Sequence, residues 1–187
     1  SESFMYLDRI LYPITALGPG ERIAIWVAGC SRECPYCANP ELWSRHDEQK
    51  IEPERLANYI NAMKDKKIDG ITITGGEPFD QVEALIGVIN ELQIETEILV
   101  FTGYKIEEIK ENPVQNRLLK AIDVLIDGEY INELNDGKST LRGSTNQRIH
   151  YLNSKVIPQY EEYLIEGRKI QNFVYEYNTL SVGIHNP

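Results

Sequence analysis

The chain has 187 residues, which suits one domain with a substantial core and is short for two. Hydrophobic residues make up 42% and charged residues 26%, and no apolar run approaches the length of a membrane span, so we expect a soluble globular protein. With 19 Lys and Arg against 29 Asp and Glu, the net charge is -10, which argues against nucleic acid as the partner because phosphate backbones are bound by clustered cations.

The first part of the chain predicts two strands and two helices. Residues 1–20 form a lead-in that ends in a turn rich in glycine and proline. Residues 23–28 are apolar throughout, as expected of a strand covered on both faces. A helix is predicted over residues 53–66, and residues 70–74 form the next strand. This strand leads into a helix over residues 82–92, where apolar residues recur at helical spacing.

The same order of elements repeats further along the chain. Residues 97–101 predict a third strand and residues 124–126 a fourth, separated by a helical region that Pro113 interrupts. Repeated units of strand, loop and helix favour a parallel sheet with right-handed crossovers. Residues 148–152 alternate like a strand, and alternation over residues 173–184 predicts a hairpin.

All three cysteines lie in one loop that directly follows the first predicted strand. They are Cys30, Cys34 and Cys37, in the spacing Cys-x3-Cys-x2-Cys. Three thiolates on a short loop suit an iron–sulfur cube, because soft sulfur ligands favour iron. Three cysteines for four irons leave one iron open to another ligand.

Two other uses of the cysteines remain open at this point. A disulfide would leave one cysteine over, and no N-terminal stretch resembles a signal peptide, so we expect a reducing cytoplasm in which thiols persist. Zinc could bind the three cysteines together with His46, although the paired C-x2-C spacing usual for zinc occurs only once.

Polar features follow four of the predicted strands. In a parallel sheet, reactive groups gather at the carboxyl ends of the strands, so these features are expected to share one edge and to form one site. They are the cysteine loop, Gly75-Gly76-Glu77-Pro78, Thr102 and Asp127.

The turn from Gly75 to Pro78 is the second strong motif. Its glycines let the backbone approach a ligand without interference from a Cβ atom, and Pro78 is suited to begin the following helix. Such a turn alone is common in α/β proteins. Together with the cysteine spacing, it resembles the radical S-adenosylmethionine (SAM) enzymes, in which a C-x3-C-x-Φ-C loop holds a [4Fe-4S] cluster and SAM chelates the open iron.

The resemblance implies a role for each matching residue of the cysteine loop. Cys30, Cys34 and Cys37 would be the cluster ligands, and Tyr36 would be the aromatic residue Φ. Trp43, which follows the loop, would shield the cluster from water. No catalytic residue is expected beyond the cluster ligands.

The resemblance also implies how SAM is bound. The glycine turn, Gly75-Gly76-Glu77-Pro78, would contact the amino group of the methionine moiety. By resemblance to the glycyl-radical-enzyme activating enzymes, Thr102 and Asp127 would lie near the SAM carboxylate and ribose. Capping of a helix by Thr102 and support of a turn by Asp127 are alternative interpretations of these two residues.

Two further stretches narrow the family. Residues 122–130 and 141–149 resemble the activating proteins of anaerobic (class III) ribonucleotide reductase, which have an aspartate-glycine pair and an RGS-S/T-NQR segment in similar places. The resemblance covers about residues 18–149. The chain departs from it at Glu129, where proline is usual. Without the resemblance, residues 142–148 would be interpreted as a solvated polar loop before a strand.

The implied fold is α/β, an incomplete (β/α)6 barrel of the radical SAM type with a mainly parallel sheet. Its open end lies at the carboxyl ends of the strands. We expect residues 1–187 to form a single radical SAM domain, with a core over about residues 18–152 and a C-terminal extension over about residues 153–187. His150 and His185 are expected to be ordinary packed or surface residues.

The implied function is that of a radical SAM oxidoreductase that activates a glycyl-radical enzyme. The cofactors would be a [4Fe-4S] cluster and SAM, and the product would be a glycyl radical on a partner, with anaerobic ribonucleotide reductase favoured. An electron donor such as flavodoxin or ferredoxin is implied, and neither nucleic acid nor a membrane is expected. Two alternatives remain: a radical SAM enzyme for a small metabolite or peptide, resembling the carboxy-deazaguanine synthase group, and a non-catalytic metal-binding interaction module that holds zinc.

Overall fold

The computed structural model describes residues 4–31, 40–42, 44–175 and 178–187. The strands are β1 (Met5–Ile14), β2 (Arg22–Val27), β3 (Lys50–Ile51), β4 (Gly70–Gly75), β5 (Glu97–Phe101), β6 (Val124–Asp127), β7 (Arg148–Tyr151), β8 (Ile170–Tyr175) and β9 (Asn178–Gly183). The helices are α1 (Pro53–Asn61), α2 (Val82–Glu91), α3 (Ile106–Glu111), α4 (Pro113–Leu119) and α5 (Ile157–Ile165).

Within the described residues, the first seven strands form one sheet in the order β3-β1-β2-β4-β5-β6-β7. The central strands β2, β4, β5 and β6 are parallel, and β1, β3 and β7 join the sheet in antiparallel pairs. The predicted α/β class and the parallel centre of the sheet are confirmed. The described sheet has seven strands, of which the sequence predicts five, β2, β4, β5, β6 and β7.

Strand β1 accounts for part of this difference. The sequence predicts a lead-in here, whereas Met5–Ile14 pairs along β2. The strand pattern is hidden by Asp8 and Arg9, which interrupt the apolar residues, and by Pro13, which lies where the register with β2 shifts. The Arg9 guanidinium lies 5.6 Å from the ring centroid of Trp26 in β2, so this charged side chain is accommodated against the sheet.

The sheet is covered on both faces because successive side chains of β2 point in opposite directions. Ile23, Ile25 and Val27 pack in the cluster formed with α1 to α4. Ala24 and Trp26 pack on the other face, in a cluster that includes Val182 of β9. Because β2, β4, β5 and β6 are parallel, their carboxyl ends share one edge of the sheet.

The predicted hairpin corresponds to β8 and β9, which form an antiparallel pair. Both strands begin earlier than predicted, and residues 176–177 between them lie outside the described residues. No helix in the described part of the chain combines the length and the apolar character needed to cross a membrane.

A buried ion pair lies at the opposite edge, where the parallel strands begin. Arg22 in β2 is 0% exposed and pairs with Glu97 at the start of β5. Arg22 Nε donates a hydrogen bond to Thr72 Oγ1 (2.8 Å), and Tyr160 Oη donates to Glu97 Oε2 (2.8 Å). The pair therefore joins β2, β4, β5 and α5 within the core.

Arg22→Met should strongly destabilise the fold, because Glu97 would remain buried without its cation. We expect a loss of roughly 3–5 kcal/mol in the free energy of unfolding, measured by urea denaturation. Arg117→Met is the matched control, since Arg117 pairs with Glu83 at 3.1 Å and both side chains are 53% exposed. This change should cost less than about 1 kcal/mol. Equal losses in the two variants would contradict the prediction.

Candidate cofactor site

A cavity of about 530 Å³ opens at the carboxyl ends of the parallel strands. This is the edge at which open α/β sheets bind ligands, and the volume falls within the roughly 300–1,000 Å³ of small-molecule sites. Residues that follow all four parallel strands line it, among them Cys30, Gly75, Gly76, Glu77, Thr102 and Gly128.

Backbone hydrogen bonds join the glycine turn to the start of the cysteine loop. Gly76 N donates to Val27 O (2.8 Å), and Glu77 N donates to Gly29 O (2.7 Å). Both acceptors belong to the segment that leads into Cys30. The two strongest sequence motifs are therefore in direct contact, as neighbouring parallel strands predict.

This contact leaves no room for a side chain on either glycine of the turn. A Cβ atom on Gly76 would lie 2.3 Å from Gly29 O, and a Cβ atom on Gly75 would lie 2.5 Å from Val27 O. Gly75 also has a φ of +110°, which side chains rarely permit. The glycines are therefore required by the close approach of the two backbones.

Glu77 connects the glycine turn to the turn after β5. The side chain is 1% exposed, and its carboxylate accepts hydrogen bonds from Gly103 N (2.7 Å), Thr102 Oγ1 (2.8 Å) and Phe79 N (2.9 Å). Burial raises the pKa of Glu77 to about 7, even though these three donors favour the charged form. The sequence predicts Glu77 and Thr102 in one site, and the structure brings them into contact.

Thr102 does not cap the following helix, which was the alternative predicted for it, because Lys105 is the N-cap residue of α3. Thr102 Oγ1 instead accepts a hydrogen bond from Tyr104 N (3.1 Å), while the hydroxyl donates to Glu77. Pro78 is buried and begins a short 3-10 helix, Pro78–Asp80, before α2 starts at Val82. Both residues thus stabilise the turns that border the cavity.

Asp127 is held away from the cavity. Its buried carboxylate accepts hydrogen bonds from Ile106 N (2.7 Å) and Arg148 Nη2 (2.7 Å), and His150 Nε2 lies 3.0 Å from Oδ1. Burial opposes ionisation, but Arg148 and the Ile106 amide outweigh it and hold the pKa of Asp127 below its ordinary value. Among the described residues that line the cavity, Thr102 is present and Asp127 is not.

The two stretches that carry the narrower resemblance also pack together. Gln147 Nε2 donates to Gly128 O (3.0 Å), and Asn146 Nδ2 donates to Glu129 O (2.7 Å). Ser144 is buried and its Oγ accepts from Ile131 N (3.1 Å). Residues 142–148 therefore form a packed segment against the backbone after β6, which differs from a solvated loop.

A side-chain cluster at the start of the cysteine loop was not predicted from the sequence. Asp80 accepts hydrogen bonds from Ser31 N (3.0 Å), Ser31 Oγ (2.9 Å) and Tyr104 Oη (2.6 Å). This carboxylate fixes the residue next to Cys30 onto the segment that follows the glycine turn. The position of Asp80, two residues after Pro78, could have drawn attention to it. Its hydrogen-bond partners, Ser31 and Tyr104, are evident only in the folded chain.

Several predicted residues are not tested by these contacts. Cys34, Cys37, Tyr36 and Trp43 lie outside the described residues, so their predicted roles stay predictions. His46, the residue that zinc would require, is exposed.

Comparisons with known proteins agree with this site. Residues 16–150 match the family model described as "4Fe-4S single cluster domain". The anaerobic ribonucleoside-triphosphate reductase-activating protein of Escherichia coli (strain K12) is 34% identical over 149 residues, or 75% of this chain and 96% of the relative. The proteins of the same name from Enterobacteria phage T4 (34% over 151 residues; 78% and 93%) and Haemophilus influenzae (36% over 147 residues; 74% and 94%) are similar to a comparable degree.

The family-model match defines the class, a protein with a domain for a single [4Fe-4S] cluster. The chain belongs to the family of anaerobic ribonucleoside-triphosphate reductase-activating proteins. The resemblance drawn from the cysteine spacing and the glycine turn is thereby confirmed, as is the expected [4Fe-4S] cluster.

Gly76→Ala should separate the glycine turn from the cysteine loop, because its new methyl group overlaps Gly29 O. We expect a loss of about 1–3 kcal/mol in the free energy of unfolding, with less iron bound after anaerobic reconstitution. Gly87→Ala in α2 is the control, since its methyl group would meet only the Pro53 side chain, at 3.3 Å. The control should keep its iron, and equal iron contents in the two variants would refute the prediction.

Glu77→Gln tests the protonation of the buried carboxyl. Because its folded-state pKa of about 7 lies above the ordinary 4.5, the stability from its protonation is complete below pH 4.5 and is lost as the pH rises through 7. Glutamine stays neutral, so the variant should gain about 3 kcal/mol relative to the wild type across this range. Urea denaturation at a series of pH values measures the difference, and parallel stability curves would contradict it.

Proposed function

We propose that this chain activates an anaerobic ribonucleotide reductase. It binds a [4Fe-4S] cluster and SAM, cleaves SAM reductively, and installs a glycyl radical on the reductase. The observation that carries the proposal is the backbone contact between the glycine turn and the start of the cysteine loop, at a cavity on the carboxyl edge of the sheet. Relatives that are covered over 93–96% of their length and are named as activating proteins support it.

The residues at the cavity fit both cofactors. Cys30 lines it, and Gly75 and Gly76 beside Cys30 contribute no side chain to the cavity. A soft thiolate at such a cavity suits an iron cluster with an organic ligand. We assign the cluster to Cys30, Cys34 and Cys37, and SAM to Tyr36, Gly75, Gly76, Glu77, Pro78 and Thr102.

Asp127 was predicted to lie near the SAM ribose, and its carboxylate is bound by Arg148 and the Ile106 amide. These contacts favour a role in which Asp127 fixes the start of α3 and the pairing of β6 with β7. Either role places it at the carboxyl end of β6.

Held by Cys30, Cys34 and Cys37, the cluster would supply the electron for reductive cleavage of SAM, and this cleavage would permit removal of a hydrogen atom from a glycine of the partner. The chain's own residues bind and orient SAM and shield the cavity from water. The glycine turn provides backbone groups for the polar end of SAM, and Glu77 with Thr102 keeps that turn in place. Leu17, Trp26 and Phe101 line the cavity with apolar surface that excludes water.

The proposal extends to the architecture and the cellular context. The parallel order β2-β4-β5-β6, with helices between the strands, supports an incomplete (β/α)6 barrel of the radical SAM type as a single domain. Thiolate ligands require a reducing compartment such as the cytoplasm. A reductant such as flavodoxin or ferredoxin would supply the electron.

The test is release of 5'-deoxyadenosine from SAM by the anaerobically reconstituted protein with dithionite, alone and with the reductase large subunit. We expect release to rise with the reductase and to accompany a glycyl radical signal in electron paramagnetic resonance. Cys34→Ala should abolish both. Release without any effect of the reductase would redirect the search to another protein or a metabolite.

His46→Ala distinguishes iron from zinc in the same assay. A [4Fe-4S] cluster held by three cysteines does not need this exposed histidine, so iron content and SAM cleavage should match the wild type. A Cys3His zinc site would lose affinity for its metal. Zinc in the wild type, lost in this variant, would overturn the proposed function.

A further inference from the structure

One side of the cavity is built by residues 181–187, which we call the wall. The wall lies outside residues 16–150, the part of the chain that matches the family model. Tyr130, Asn132 and Gln147 line the same cavity, as do Cys30 and the glycine turn, which we call the cofactor side. The cavity is therefore lined in part by residues that the family-model match does not cover.

The wall is attached to the core at its first residues. Val182 is 2% exposed and packs in the cluster with Leu17 and Trp26. Strand β9 is paired with β8, and Gln171 Oε1 in β8 accepts a hydrogen bond from Thr15 N (2.8 Å). This part of the wall is a fixed surface.

Arg168 holds the remaining part of the wall together with Asn135, whose Nδ2 donates to His185 O (3.1 Å). The side chain of Arg168 is 7% exposed, and its Nη1 donates to His185 O (2.9 Å) and Asn186 Oδ1 (3.2 Å). The other guanidinium nitrogens donate to Ser139 O (3.0 Å, from Nε) and Arg142 O (3.1 Å, from Nη2). One guanidinium thus joins the wall to the segment that precedes residues 143–148.

The chemistry of this side suits an uncharged polypeptide. Among the described lining residues, only Arg9 and Glu77 have side chains of the Asp, Glu, Lys or Arg type. The Glu77 carboxylate is buried against the turns of the cofactor side. Besides the wall, Gly128, Tyr130, Asn132 and Gly143 line the cavity, and none of them carries a formal charge. Uncharged amides can pair with a peptide backbone, and glycines let it approach closely.

We propose that the wall positions the glycine-bearing segment of the partner enzyme against the cofactor side, and that Arg168 is the positioning residue that holds it. The inference rests on the proposed function. The segment that enters is extended and uncharged, with small side chains near the reacting glycine. The wall supplies affinity for the partner, and SAM is cleaved at the cofactor side.

Arg168→Ala tests this assignment, with Lys169→Ala as the matched control. Lys169 is the neighbouring cation, and its Nζ pairs with Glu166 at 3.0 Å, away from the wall. Arg168→Ala should raise the KM for the reductase about tenfold in the glycyl-radical assay, with kcat and dithionite-driven SAM cleavage unchanged. Lys169→Ala should leave all three quantities unchanged.

Two measurements on the protein without cofactors give independent readouts. The dissociation constant for the reductase should rise by a similar factor in Arg168→Ala, measured by calorimetry. Hydrogen exchange at the amides of residues 183–187 should be faster in this variant than in the control. A merely structural role would instead change SAM cleavage together with affinity.

Asn186→Trp keeps the inference testable if Arg168→Ala does not fold. Asn186 is exposed at the border of the cavity, so tryptophan there narrows the entrance without entering the core. It should weaken reductase binding and leave SAM cleavage intact. Wild-type affinity in both folded variants would overturn the inference. A wild-type protein that cleaves SAM but never activates the reductase would overturn the proposed function and the inference together.

Discussion

The site depends on one close approach of two backbones. Gly76 N and Glu77 N donate to the carbonyl groups of Val27 and Gly29, so the turn after β4 rests directly on the segment that leads into Cys30. The parallel pairing of β2 with β4 brings these segments side by side, and only glycine lets them come this close. The thiolate of Cys30 and the backbone groups that would receive SAM are therefore positioned by the same contact.

Polar side chains extend this constraint around the edge of the sheet. Glu77 links the turns after β4 and β5, Asp127 links β6 to β7 and to α3, and Asp80 secures the start of the cysteine loop. Each carboxylate is bound by donors from another segment, and this is the condition under which buried or half-buried charge is tolerated. These contacts fix the segments that border the cavity, and the inner surface of the cavity stays open.

Local patterns in the sequence predicted much of this arrangement. Apolar runs marked β2, β4, β5 and β6, and the spacing of Cys30, Cys34 and Cys37 with the glycine turn indicated the cofactor. Strand β1 was missed because charged residues interrupt its pattern, and α5 was missed because its buried face consists of tyrosines, Tyr160 and Tyr163, which give a weaker apolar signal. The position of the wall beside the cavity could not be predicted.

The sequence by itself determined the chemical components: three thiolates at one strand end, a glycine turn at the next, and a parallel order of strands. The tertiary structure decided the partners. Thr102 donates to Glu77, Asp127 lies opposite Arg148 in the pairing of β6 with β7, and Arg168 holds residues 185–186 beside the cavity. The physical reason is that periodicity and spacing are properties of neighbouring residues, whereas contacts between distant polar groups depend on the order and register of the sheet.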